Sequence, residues 1–91
     1  MYNNMYYFYV LRFRKNGKLY KGFTNDLKRR IQEHKSGSST FTSKNGEFDL
    51  LFYEAYVNKQ DAQEAERYFK TGHEREVLRD KLRYTLRGGV A

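Results

Sequence analysis

A chain of 91 residues with 18 Lys/Arg against 11 Asp/Glu, and with no Cys, Pro or Trp, has room for one small core that buries about 60–65% of its unfolded surface. The missing cysteines exclude disulfide staples and thiolate metal sites, and no stretch reaches the length of a membrane span. Met1 to Asn4 lacks a basic run leading into an apolar block, so the expectation is one cytoplasmic domain over residues 1–91, with its core at about 6–83. Nine Tyr and seven Phe can fill such a core without Trp.

Tyr6 to Phe13 is an aromatic and β-branched run that reads as a strand, and Lys18 to Phe23 reads as a second, shorter one. Asn16-Gly17 between them is the signal for a two-residue type I′ hairpin turn. Pairing Lys15 with Lys18 sets Phe13 opposite Tyr20 and Leu11 opposite Gly22. Tyr7, Tyr9, Leu11, Phe13, Tyr20 and Gly22 then share one face, with the phenols of Tyr9 and Tyr20 several residues apart along the ribbon. A one-residue bulge would turn one strand over and separate them.

Thr24-Asn25-Asp26 offers a polar N-cap, and Gly37 a stop, for a helix over about Leu27 to Ser36. On it Leu27, Arg30, Ile31 and His34 recur at i, i+3, i+4 and i+7, one stripe. An arginine on an apolar stripe needs a partner or an opening, and a cleft supplies the opening. Residues 36–46, rich in Ser, Thr, Gly and Lys, form a polar loop suited to ordering on a ligand. Leu50 to Val57 reads as a third, central and largely buried strand. Asn58 caps a helix that runs to about Thr71 and stops at Gly72; Ala62, Ala65 and Phe69 are its apolar positions, and Glu66 borders them. A last amphipathic helix, about Glu74 to Arg83, uses Val77, Leu78 and Leu82, and Thr85 to Ala91 reads as a frayed tail.

The charge is unevenly placed. Residues 1–37 carry nine Lys/Arg and two acids, whereas residues 38–91 carry nine of each, so the whole excess of +7 lies on the first segment. A surface of that kind attracts phosphate backbones, with an affinity that falls as salt rises.

The same segment holds Tyr9 in Phe8-Tyr9-Val10, Tyr20 and Gly22 in Tyr20-Lys21-Gly22, then Thr24, Leu27, Arg30 and His34, with Glu66 far downstream in Ala65-Glu66. This spacing resembles the GIY-YIG nuclease superfamily, in particular its small stand-alone members, and is similar to the N-terminal nuclease domain of the bacterial nucleotide-excision-repair incision subunit. The later stretch Phe52-Tyr-Glu-Ala-Tyr and Phe69-Lys-Thr-Gly72 is also similar to the small members. The resemblance covers roughly Tyr6 to Leu82 and implies an α+β fold in which a three-stranded antiparallel sheet is flanked by helices, in the order β-β-α-β-α-α.

It further implies a metal-dependent endonuclease acting on DNA, in repair or recombination. Tyr9, Tyr20, Arg30, His34 and Glu66 would be catalytic. Glu66 would be the single carboxylate ligand of Mg²⁺ or Mn²⁺, Arg30 would stabilise charge on the phosphate, and Tyr9 would be the general base or hold the water. Arg30 and the metal would draw Tyr9 toward the phenolate, while Tyr20 and His34 position the phosphate or share the proton relay. Lys21, Gly22, Lys28, Arg29, Lys35 and Lys44 would meet the nucleic acid. Partners are then DNA and a targeting protein, with a monomer as the default state and no membrane.

The chain departs from the family pattern at three places. The first triplet lacks its glycine, the second has Lys21 for an apolar residue, and Phe23 stands where some relatives carry a lysine thought to assist the base. A nucleic-acid-binding module of the same fold with negligible hydrolysis is the alternative, and a scaffold protein without affinity for nucleic acid the third. Each residue also has an ordinary structural use: sheet tyrosines pack cores, a helical His lines a helix end, and Glu66 can pair with Lys70 four residues on.

Overall fold

A computed structural model describes residues 4–37 and 44–85; residues 38–43 of the polar loop and 86–91 of the tail lie outside the described residues. Strands β1 (Tyr6–Phe13), β2 (Leu19–Thr24) and β3 (Phe48–Tyr56) form an antiparallel sheet in the order β2-β1-β3. Helix α1 (Leu27–Lys35) follows β2, and α2 (Lys59–Tyr68), α3 (Glu74–Lys81) and a last single turn, α4 (Arg83–Thr85), follow β3. The fold is α+β, with the expected order of elements.

The central strand is β1, not β3. Phe8, Tyr9, Val10, Leu11 and Phe13 are all at most 2% exposed, whereas β3 is an edge strand with Leu50 and Tyr53 in the open. The continuous apolar run of β3 has a different cause from burial on both faces. Val10 pairs with Phe52 and Leu11 with Leu50, so Leu51 is an extra residue at a bulge. Leu51 and Phe52 therefore both turn to the core cluster of Phe8, Val10 and Phe69, which Leu19, Ala65, Val77 and Leu78 complete. Each fully buried phenylalanine there contributes about 1.5–3 kcal/mol of hydrophobic stabilisation. This core occupies the sheet face that α2 and α3 cover, and Tyr9, Leu11 and Phe13 point to the other.

The hairpin is wider than two residues. Phe13 N–H donates to Lys18 O at 2.9 Å and Gly17 N–H donates to Phe13 O at 2.8 Å, which closes a loop of residues 14–17. Gly17 takes φ +73°, where an L side chain is strained, and the Asn16 side-chain oxygen accepts from Lys18 N–H at 3.0 Å. Asn-Gly thus forms the second half of a longer turn. The register moves by two: Leu11 faces Tyr20 and Tyr9 faces Gly22. A shift of two leaves every side chain on its expected face, but it brings Tyr20 to within two positions of Tyr9's partner instead of four.

Helix α1 begins where expected, with the Asp26 carboxylate accepting from Arg29 N–H at 3.1 Å. Asn58 caps α2 by accepting from Gln60 N–H at 2.8 Å. That helix ends three residues before the expected Thr71, at Tyr68. Phe69–His73 then make a wide turn in which Gly72, at φ +97°, changes direction into α3.

Candidate active site

The close approach of β1 to β2 builds the site. Gly22 lies directly opposite Tyr9, and a Cβ placed on Gly22 would sit 2.4 Å from both Cζ and Oη of Tyr9. The phenol ring therefore lies across the backbone of β2, where any side chain would displace it. Tyr20, next along the same face, brings its ring centroid to 6.2 Å from that of Tyr9. Helix α1 covers these rings from above and, one turn apart, supplies Arg30 and His34. His34 is 2% exposed; its ring meets Tyr20 edge-on at 4.9 Å and Phe48 at 6.1 Å.

Tyr9 Oη lies 2.9 Å from His34 Nε2. The Arg30 guanidinium donates to Glu33 Oε1 at 3.0 Å and lies near enough to Tyr9 to lower its pKa. With His34 in the Nδ1–H tautomer, Tyr9 Oη donates to Nε2. Tyr9 and His34 thus form a buried polar pair, with Arg30 one turn before His34 on α1.

Burial sets the protonation states. It pushes the Tyr9 phenol up to about 12, helped by Tyr20 and by the charge of Glu66, against the lowering by Arg30. It pushes the His34 imidazole down to about 4, with Arg30 acting in the same direction. For Arg30, burial opposes the charge, but Glu33, Tyr20 and Tyr9 together outweigh it and raise its pKa. Arg30 does draw Tyr9 toward the phenolate, but by itself it is outweighed, because desolvation of an anion exceeds the attraction of one cation. Tyr9 is a phenol and His34 a neutral ring at pH 7.

A stability prediction follows. The folded His34 pKa is depressed from about 6.5, so the unfolded chain binds a proton that the fold does not; stability is whole above about pH 6.5 and falls as pH drops toward 4. Glu33, Asp49 and Glu54, also held low, lose stability in the same direction only below their unfolded carboxylate range. Urea midpoints measured from pH 7 to pH 5 should decline in the wild type and decline less in His34→Gln.

Glu66 stands on α2 close enough for its charge to act on Tyr9. Its side chain is 22% exposed, and Oε2 accepts from Lys70 Nζ at 2.9 Å. Among the described residues no three His, Cys, Asp or Glu cluster as a metal cage.

The expected nucleic-acid contacts divide. Lys28, Arg29, Lys35 and Lys44 are exposed, although Arg29 is engaged with Glu33 at 3.1 Å. Lys35 lines, with Ile31, His34, Phe48 and Leu50 and the charged Arg14, Glu47 and Asp49, a cavity of about 820 Å³. Lys21 points to the opposite sheet face and pairs with Glu74 at 3.1 Å, away from Tyr9. Phe23 stacks on Tyr6 on that face, ring centroids 6.3 Å apart, so the position offers the base no help. Sequence reasoning missed Glu33, which ties Arg30 in place; its spacing of three from Arg30 and four from Arg29 is the signal that could have found it.

The comparisons with known proteins agree with this geometry. The GIY-YIG catalytic domain matches residues 5–79. A UPF0213 protein encoded in the ldhD 5′ region of Pediococcus acidilactici is 38% identical over 90 residues, covering 96% of this chain and 87% of its own. The UPF0213 protein YazA of Bacillus subtilis is 37% identical over 71 residues, covering 77% and 71%. The solution NMR structure of a UPF0213 protein from Bacillus halodurans superposes with a TM-score of 0.54 at 31% identity, over 86% of this chain and 85% of that one. With its three-stranded sheet, its close Tyr9–Gly22 approach and a match over residues 5–79, the chain belongs to the GIY-YIG catalytic-domain family, a family of nucleases.

Proposed function

We propose that the protein is a metal-dependent endonuclease that hydrolyses DNA phosphodiester bonds, and that Tyr9, Tyr20, Arg30, His34 and Glu66 carry the chemistry. The observation that supports this most is the buried contact of Tyr9 Oη with His34 Nε2 at 2.9 Å, beside Arg30 on the same helix, because packing alone does not call for two linked polar side chains there. In hydrolysis an attacking water gives its proton to Tyr9 Oη as Tyr9 passes its own hydrogen to His34 Nε2. The protonated imidazole is unfavourable in the free protein, but a phosphate gathering negative charge in the transition state raises its basicity. Arg30 and the Tyr20 hydroxyl hold the non-bridging oxygens.

A lone carboxylate at the edge of the site suits Mg²⁺ or Mn²⁺, since Mg²⁺ takes one or two carboxylates and completes its shell with water and phosphate oxygens. Glu66 fits that description by its position and by the reach of its charge to Tyr9. A bound ion there supplies charge neutralisation at the scissile phosphate and at the leaving oxygen. Lys70 offers Glu66 a different partner, and that ion pair favours the second reading, a binding module of the same fold without hydrolysis.

The test is cleavage of end-labelled duplex, flapped, branched and single-stranded DNA, the kinds of structure that arise in repair and recombination, with Mg²⁺, with Mn²⁺ and with chelator. Cutting that needs the metal is the expected result. Salt-dependent binding without cutting on the whole panel would establish the binding module instead.

A further inference from the structure

One part of the sheet face that holds Tyr9 is left open. Tyr53 is the direct cross-strand neighbour of Tyr9 on β3, and it is 52% exposed. Its ring meets that of Tyr7 at 6.0 Å with an interplanar angle of 63°, an edge-to-face pair that makes the two rings one aromatic surface. Leu50, exposed on the same side, continues the patch toward the cavity lined by Lys35 and His34.

The bulge is what produces this arrangement. Because Leu51 drops out of the ladder, Tyr53 opposite Tyr9 and Leu50 opposite Leu11 both come to the side of the candidate active site, while Leu51 and Phe52 fill the core. An edge strand ordinarily keeps large apolar side chains off its open face, since such patches mark binding surfaces or invite association.

We propose that Tyr53 and Tyr7 form a stacking platform for unpaired bases of the DNA strand that the site acts on. Three observations select this occupant. The platform adjoins Tyr9 across a single interstrand spacing of about 4.8 Å, so a base near the scissile phosphate reaches it. Lys35, exposed on α1, lines the cavity that Leu50 also reaches, and a cation there favours a polyanion over an apolar peptide. Stacked aromatics beside a cationic surface accept any base, whereas a paired base inside a duplex presents no free ring face to them. The inference rests on the proposed nuclease reading and adds to it that strands with unpaired nucleotides at the cut are bound best.

Fluorescence anisotropy tests it with wild type, Tyr53→Ala and Tyr53→Phe, on a labelled single-stranded oligonucleotide and on a blunt duplex of the same sequence, at one salt concentration and with chelator to prevent cutting. Loss of one base stack predicts single-strand binding weaker by about 5- to 100-fold in Tyr53→Ala. Tyr53→Phe, which keeps the ring, should stay within about twofold, and duplex binding should change by less than about twofold in both. Circular dichroism checks that the exposed substitution leaves the fold intact. If Tyr53→Ala binds both DNAs as the wild type does, or loses affinity for both equally, the platform is refuted while the nuclease reading stands. A wild type with no affinity for either DNA overturns both.

Discussion

Glu66→Ala should remove metal-dependent cleavage while leaving DNA binding within about twofold. The expected loss in rate is at least the 10²–10³-fold, or about 3–4 kcal/mol, that follows from deleting one group that stabilises transition-state charge. A carboxylate repels phosphate, so its removal cannot weaken binding unless it held the ion that bridges them. Arg30→Ala is the instructive contrast. It should lose a comparable factor in rate, and it should also weaken binding, because the lost group is a cation. Single-turnover cleavage with saturating enzyme, beside anisotropy on the same DNA, separates the two effects. Cleavage by Glu66→Ala at the wild-type rate would take Glu66 out of the reaction and assign it to its ion pair with Lys70.

Gly22→Ala should be the most damaging change for its size. The added methyl would stand 2.4 Å from Tyr9 Oη, well inside contact distance, and the obstacle is a ring that is 1% exposed and enclosed by Tyr20, His34 and β2. Overpacking of this kind costs about 1–3 kcal/mol. The functional loss should be larger than the stability loss, because any displacement that spares the fold moves Oη away from His34 Nε2 and from Arg30 together. A misplacement of about 1 Å costs on the order of 10²-fold in rate. Thermal melting and cleavage measured on the same variant check both numbers. Tyr9→Phe is the control: it removes the hydroxyl without moving the ring, so it should retain most of the stability and lose the activity. A Gly22→Ala protein that cuts normally would show that Tyr9 can move without consequence.

Local chemistry made much of this legible beforehand. The caps at Asp26 and Asn58, the stripe that carries Arg30 and His34 on one side of α1, and the turn residue Gly72 follow from short-range rules that need no tertiary information. The motif spacing then led to Tyr9, Tyr20, Gly22, Arg30, His34 and Glu66, and the fold brings the phenols, guanidinium and imidazole together and sets the Glu66 charge within reach of Tyr9. Lys21 lies on the other side of the sheet from Tyr9 although it adjoins Gly22, because neighbours on a strand point to opposite faces.

What escaped the sequence was non-local. Four residues of loop rather than two, and one extra residue in β3, are choices made by the pairing of whole strands, and neither Asn16-Gly17 nor the run Leu50 to Tyr53 fixes them alone. The same holds for the protonation of the site, where solvent exclusion by α1 outweighs the nearby cation. By itself, then, the sequence determined which residues meet: capping and periodicity act over a few positions, and the faces of a hairpin survive a register shift of two. Only the tertiary structure decided that β1 is the central strand, that Tyr9 and His34 are neutral, and that Tyr53 lies open beside them, because strand order, desolvation and a bulge depend on contacts between segments far apart in the chain.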